Sequence, residues 1–203
     1  DPDVFGKKEL IGNWGFTNVT KNWNWKDADQ KPVQVAVFSN GDEVELIQNG
    51  TSVGKLTSGT RLAAELPHSF LFDLTYLPGT LESVSYKDGK EISRDTLVTT
   101  GPAKELRLIQ EKKELSANGH EVAYIRVEIV DENGIVVPDA ALRLSAAVEG
   151  VGSLAAFGSS NPITDENYTS GTFTSYHGTA TAIIRSGYQT GMCTLTVGCE
   201  GLD

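Results

Sequence analysis

The chain is expected to be all-β and to fold as two β-sandwiches in tandem. Three observations point there. Apolar and polar residues alternate with period two in run after run, spaced about 8–12 residues apart. The runs are separated by Asn-Gly, Asp-Gly and Pro-Gly dipeptides, which supply the dihedral angles of tight turns. No stretch holds the period of an amphipathic helix over three turns. The pattern stops at Gly101-Pro102 and then restarts, so the expected domains are 1–101 and 102–203.

Residues 1–30 form a lead-in of weak periodicity that holds Phe5, Trp14, Phe16, Trp23 and Trp25, including every tryptophan of the chain. Two readings stay open there. Trp14, Trp23 and Trp25 are the candidate carbohydrate-binding residues, because flat aromatic faces suit pyranose rings. The alternative is packing, since large aromatics are mostly buried.

Lys31 to Lys55 is the clearest β signal. Val33 to Ser39 and Glu43 to Gln48 alternate on either side of Asn40-Gly41-Asp42, and Asn49-Gly50 leads into a third strand. Asn-Gly between alternating hydrophobics predicts a hairpin, so a β-meander is expected. Phe70 to Tyr76 follows, then the turn Leu77-Pro78-Gly79-Thr80. Leu81 to Lys87 and Glu91 to Thr99 are joined by Asp88-Gly89.

In the second half Lys104 to Lys112 reads as a strand with charged neighbours, and Ser116 to Gly119 as a turn. Val122 to Val130 alternates clearly, with Ala123, Ile125, Val127 and Ile129 on one face. Asp131 to Gly134 turns the chain back into Ile135 to Val137, and Ala141 to Val148 is a further strand. Gly150 to Pro162 is read as a glycine- and serine-rich loop. Thr172 to Tyr176, Thr179 to Arg185 and Met192 to Cys199 complete the second sandwich.

Composition excludes several function classes. With 203 residues, 39% hydrophobic and 22% charged, the chain can bury real cores. Its formal net charge of −10 repels phosphate, so neither nucleic acid nor anionic membrane is an expected partner. No apolar run approaches the roughly 20 residues that span a bilayer. No basic segment precedes an apolar core, as a signal peptide would require. The chain starts Asp1-Pro2-Asp3, so a mature product or an excised fragment is expected.

Cys193 and Cys199 lie on one expected strand, which would set their Cα atoms roughly 20 Å apart, too far for a disulfide. Cys193, Leu195 and Val197 share a face and are expected in the core.

Few residues stand in a pattern suited to chemistry. His68, His120 and His177 are far apart and lack partners at metal spacing, so they are expected on the surface. Gly150 to Pro162 has no Lys-Ser/Thr and opens no helix, which excludes a phosphate-cradling loop. No metal or cofactor is expected. Glu43/Glu45, Asp131/Glu132 and Asp165/Glu166 are paired carboxylates, the residue type glycoside hydrolysis needs. They sit on a strand face or in turns, where solvated acids belong, and no catalytic residue is assigned. Asp131, Glu132 and Asn133 lack the spacing of an EF-hand loop. Asn18, Asn49 and Asn167 begin glycosylation sequons.

The run NWNW (22–25) followed by KPVQVAVFSNGDEVELIQNGTSVGK (31–55) resembles a region after the catalytic barrel of glycoside hydrolase family 2 enzymes. In those β-galactosidase-like proteins the pattern is W-N-W, a polar turn, K-P-V, a strand ending in S/T-N, V-E-L, then N-G. FDLTYLPGTLESVSYKDGKEI (72–92) is similar to the later part of that module. LSANGHEVAYIRVEIVDENGIVVPDA (115–140) and DENYTSGTFTSYHGTATAIIRSG (165–187) are similar to the family's terminal immunoglobulin-like domain. Asn22 departs from the pattern, which has His there.

The resemblance implies two immunoglobulin-like sandwiches from the C-terminal, non-catalytic region of such an enzyme. It implies no activity for this chain itself. The acid/base glutamate of the family follows an Asn, and no Asn here precedes Glu. A (β/α)₈ barrel also needs about 250 residues. The implied parent is a glycosidase (EC 3.2.1.-) active on β-galactosides, and the implied partner is its catalytic barrel, which these domains would pack on and support. Carbohydrate is the second expected partner, through the tryptophans. A bacterial periplasmic or secreted location follows from relatives that degrade external glycans. The rivals are a carbohydrate-binding module and a cell-surface structural spacer.

Overall fold

The computed structural model describes residues 19–25, 27–57 and 68–202. Every regular element among them is a strand, as expected. The chain divides into two compact units, Asp1–Thr99 and Thr100–Asp203, each with a hydrophobic core of its own.

The first unit holds β1 (Pro32–Phe38), β2 (Glu43–Gln48), β3 (Thr51–Thr57), β4 (Ser69–Thr75), β5 (Thr80–Lys87) and β6 (Lys90–Val98). β1 and β4 pair antiparallel as one sheet, and the other is ordered β3-β2-β5-β6. Their inner faces meet at Val44, Leu46, Phe70, Phe72, Tyr76 and Leu81. Val44 and Leu46 point inward while Glu43 and Glu45 stay on the other face, as the alternation requires.

The expected meander is corrected at its first turn. β1 pairs with β4 and never with β2, so Asn40-Gly41-Asp42 carries the chain from one sheet to the other. Neither Asn40 nor Gly41 has the positive φ of a hairpin turn. Gly41 is needed there for space, because a Cβ would lie 2.7 Å from the Tyr86 carbonyl oxygen. Asn49-Gly50, by contrast, is a two-residue hairpin between β2 and β3, with φ of 50° and 76°. Asp88-Gly89 repeats that geometry between β5 and β6, with φ of 49° and 73°.

The second unit holds β7 (Glu105–Gln110), β8 (Val122–Val130), β9 (Arg143–Gly150), β10 (Ser153–Gly158), β11 (Thr172–Thr174), β12 (Thr179–Arg185) and β13 (Cys193–Cys199). One sheet is ordered β10-β12-β8-β7 and the other β11-β9-β13. Ala123, Ile125, Val127 and Ile129 of β8 face the core together with Leu144, Phe157, Phe173 and Ala182.

Three expectations are revised in this unit. Gly150 to Pro162 is not wholly loop, since Ser153–Gly158 forms β10 at a sheet edge. Its small residues hid a short strand whose Phe157 is fully buried. Ile135 to Val137 makes only an isolated bridge, Val130 to Val136. Cys193 is exposed and not in the core, whereas Leu195, Val197 and Cys199 do pack against it.

Candidate functional site

The aromatic lead-in is the only segment for which sequence reasoning proposed a site, and Trp14 lies outside the described residues. Trp23 is 3% exposed and belongs to the first core. Its ring meets Tyr76 edge-on, centroids 4.8 Å apart at 61°. Its carbonyl accepts hydrogen bonds from Tyr76 Oη (2.9 Å) and Thr99 Oγ1 (2.7 Å). Trp23 is therefore a plug that ties the lead-in to β4 and to the end of β6, and it has no open face for a sugar. Trp25 is half-buried against the same core. Both border a groove of about 290 Å³ that also touches Phe38, Leu97 and Asp95. Phe38 is half exposed there. The Trp23 indole N–H has no acceptor among the described residues.

Each of the three carboxylate pairs has at least one member with a structural partner. Glu43 binds Lys55 at 2.8 Å, and Lys55 also lies over the Tyr86 ring at 4.3 Å. Glu45 accepts from Tyr86 Oη at 3.3 Å. Asp131 is 1% exposed and accepts from the backbone N–H groups of Gly101, Asn133 and Ile135, each at 2.9 Å. Burial pushes its carboxyl up, but these donors outweigh it and hold the group below the usual carboxylate range. The bonds from Asn133 and Ile135 to that carboxylate close the Asp131 to Gly134 turn. Glu166 pairs with Arg143 and accepts from the Thr174 N–H and hydroxyl, which ties the segment before β11 to the sheet.

Sequence reasoning overlooked Glu128 because it sits inside an alternating strand. It is 5% exposed and held between Arg107 (2.6 Å) and Arg126 (2.9 Å). Glu128↔Arg107 is a register pair of β8 and β7, so the contact is a cross-strand ion pair on the outer sheet face. Glu121 was also missed. It accepts from the Ser116 N–H at 2.7 Å and from Lys112 at 3.1 Å, and its carboxyl is held down to about 2 by the Ser116 bonds first and Lys112 second.

His120 and His177 are exposed loop residues, and His68 is exposed at a positive-φ turn. No group of three metal-ligating side chains occurs among the described residues. The Asn49 side chain is occupied, donating to the Pro78 carbonyl and accepting from the Thr80 N–H. The geometry offers scaffolding contacts and shallow grooves, one of them between β7 and β13 (about 740 Å³).

Comparison with known proteins decides the family. Residues 106–203 match the model of glycoside hydrolase family 2 C-terminal domain 5, and residues 30–93 match a domain of unknown function (DUF4982). Residues 106–203 thus match a C-terminal domain of glycoside hydrolase family 2, and the chain as a whole is similar to the C-terminal regions of family 2 enzymes. It is 28% identical over 181 residues to a β-galactosidase of Bacteroides ovatus, a match covering 89% of this chain and 21% of the relative. A β-galactosidase of Thermoanaerobacter pseudethanolicus is 29% identical over 177 residues, covering 82% and 22%. A crystal structure of a family 2 member from Bacteroides cellulosilyticus superposes with a TM-score of 0.88 at 28% identity, covering 98% of this chain and 26% of that one.

The chain thus spans about a fifth of the curated relatives it matches. The catalytic domain of those family 2 glycosidases is absent from it. Immunoglobulin-like sandwiches agree with the two-sheet arrangement in each unit.

Proposed function

We propose that this chain is a non-catalytic accessory region of a family 2 glycosidase active on β-galactosides, packing on and supporting the catalytic barrel. One observation carries the reading: nearly the whole chain aligns, in sequence and in fold, with a small part of much longer glycosidases. Its own geometry agrees. A retaining glycosidase needs two carboxyl groups about 5 Å apart, one as nucleophile and one as acid/base. Glu43, Glu45, Asp131 and Glu166 are each engaged in holding strands or turns.

The test is the full polypeptide with and without residues 1–203, assayed on an aryl β-galactoside after heating. Faster heat inactivation of the shortened protein is expected. Equal inactivation curves would remove the supporting role.

A second reading, carbohydrate binding, draws on Trp25 beside the groove at Phe38 and Asp95. Saturable quenching of tryptophan fluorescence by galactosides or plant polysaccharides, lost in Trp25→Ala, would favour it. Export to the periplasm or medium belongs to the same proposal, and cell fractionation tests it.

A further inference from the structure

Asn-Gly is a reactive pair as well as a turn former. The Asn side chain and the next backbone nitrogen can close a five-membered ring, and glycine has no Cβ to hinder the approach. The pair occurs four times, at 40–41, 49–50, 118–119 and 133–134. All four asparagines are exposed, so water reaches each of them. What differs is how the fold holds the reacting atoms, and alignment governs an intramolecular reaction.

Three of the pairs are locked. Asn49 Nδ2 donates to the Pro78 carbonyl at 3.0 Å, and Asn49 Oδ1 accepts from the Thr80 N–H at 2.7 Å. Asn118 Oδ1 accepts from the His120 and Glu121 N–H groups, each at 2.9 Å. The Gly119 N–H meanwhile donates to the Gly187 carbonyl at 3.1 Å. Around Asn133 the main chain is clamped: the Asn133 and Ile135 N–H groups donate to Asp131 Oδ1, each at 2.9 Å. The Gly134 N–H donates to the Asp131 carbonyl at 3.0 Å.

Asn40 is held differently. No hydrogen bond restrains its side chain among the described residues. The Gly41 N–H donates to the Ser39 hydroxyl at 3.0 Å. A hydroxyl can turn away by rotation of its own side chain, whereas the acceptors at Gly187 and Asp131 are main-chain carbonyls.

We propose that Asn40 is a site of spontaneous modification, converted to aspartate and isoaspartate ahead of the other three, at a rate set by release of the Gly41 N–H from Ser39. Base removes the Gly41 amide proton, and the nitrogen attacks Asn40 Cγ. The new C–N bond displaces the side-chain nitrogen, which takes up a proton and leaves as ammonia. Water then adds across one of the two C–N bonds of the cyclic imide. One opening gives aspartate and the other isoaspartate, with water as the sole co-reactant. The isoaspartate product adds one atom to the main chain in the crossover from β1 to β2. That crossover has no slack. A Cβ on Gly41 would lie 2.7 Å from the Tyr86 carbonyl oxygen, which also accepts from the Asp42 N–H at 2.8 Å.

The test keeps the full polypeptide folded at mildly alkaline pH, then digests it and reads the mass at each of the four sites over time. A parallel sample in urea gives the rates set by local sequence alone. Comparable rates are expected in urea. In the folded protein Asn40 should convert about tenfold or more faster than each of the other three. Faster conversion at Asn49, Asn118 or Asn133, or equal rates at all four, would overturn the proposal. Ser39→Ala should accelerate conversion at Asn40 alone. An unchanged rate at Asn40, or an equal rise at all four sites, would remove Ser39 as the restraint. The isoaspartate product, separated by chromatography, should melt below Asn40→Asp, which carries the charge without the added atom. Equal melting would contradict the strained crossover.

Discussion

Trp23 shows how a single residue is recast by its surroundings. From sequence it was one of three equivalent tryptophans, and both packing and sugar stacking were open. The structure buries it against Tyr76, with its carbonyl held by Tyr76 and Thr99. Trp23→Ala should cost about 3–5 kcal/mol in urea unfolding, as large aromatic truncations in a core do. Trp23→Phe should cost clearly less, and a neutral Trp23→Ala would show that the plug is not structural. Glu121 is the residue with a pH signature. Its folded-state carboxyl lies at about 2 against 4.5 for the free group. Because the folded value is depressed, its stabilisation is complete above about 4.5 and is lost as pH falls toward 2. Glu121→Gln should therefore flatten stability against pH in that window. An unchanged slope would refute the assignment. The two thiols should separate as well. Burial, with the Glu200 charge adding, pushes the Cys199 thiol up, while Cys193 is exposed. Alkylation at mildly alkaline pH should modify Cys193 first. Neither carboxylate nor thiol behaviour was legible in the sequence, because each depends on what the fold places beside it.

At the scale of elements, periodicity and turn chemistry located most strands. What they could not supply was pairing. The two Asn-Gly dipeptides near the start look alike in sequence but do different work. Asn49-Gly50 closes a hairpin, and the Asn49 side chain also clamps the Pro78-Gly79 turn. Asn40-Gly41 crosses between sheets at negative or extended φ, and its glycine is required by the Tyr86 carbonyl. Asn49→Ala should cost about 1–2 kcal/mol through the lost bonds and the positive φ. Asn40→Ala, at an exposed position, should stay within about 0.5 kcal/mol. The reverse order in thermal melts would contradict these assignments. β10 was missed for a related reason: Leu-Ala-Ala-Phe between glycines offers too few β-branched residues to announce a strand, and only its place beside β12 makes it one.

At the scale of the whole molecule, residue order in several motifs carried more functional information than any side-chain cluster. The alternation predicts sandwiches, but sandwiches host many functions. Only the succession from NWNW through the two Asn-Gly turns to the terminal motifs pointed to glycoside hydrolase family 2, and the comparisons match residues 106–203 to a C-terminal domain of that family. Glu43 and Glu45 of the first unit brace a strand face, and Asp131, Glu166 and Glu128 of the second brace a turn, a loop and a cross-strand pair. The most direct measurement is hydrolysis of an aryl β-galactoside by the purified 203-residue chain beside the full polypeptide. The account predicts turnover by the full polypeptide and none above buffer by the chain. Appreciable turnover by the chain alone would contradict it.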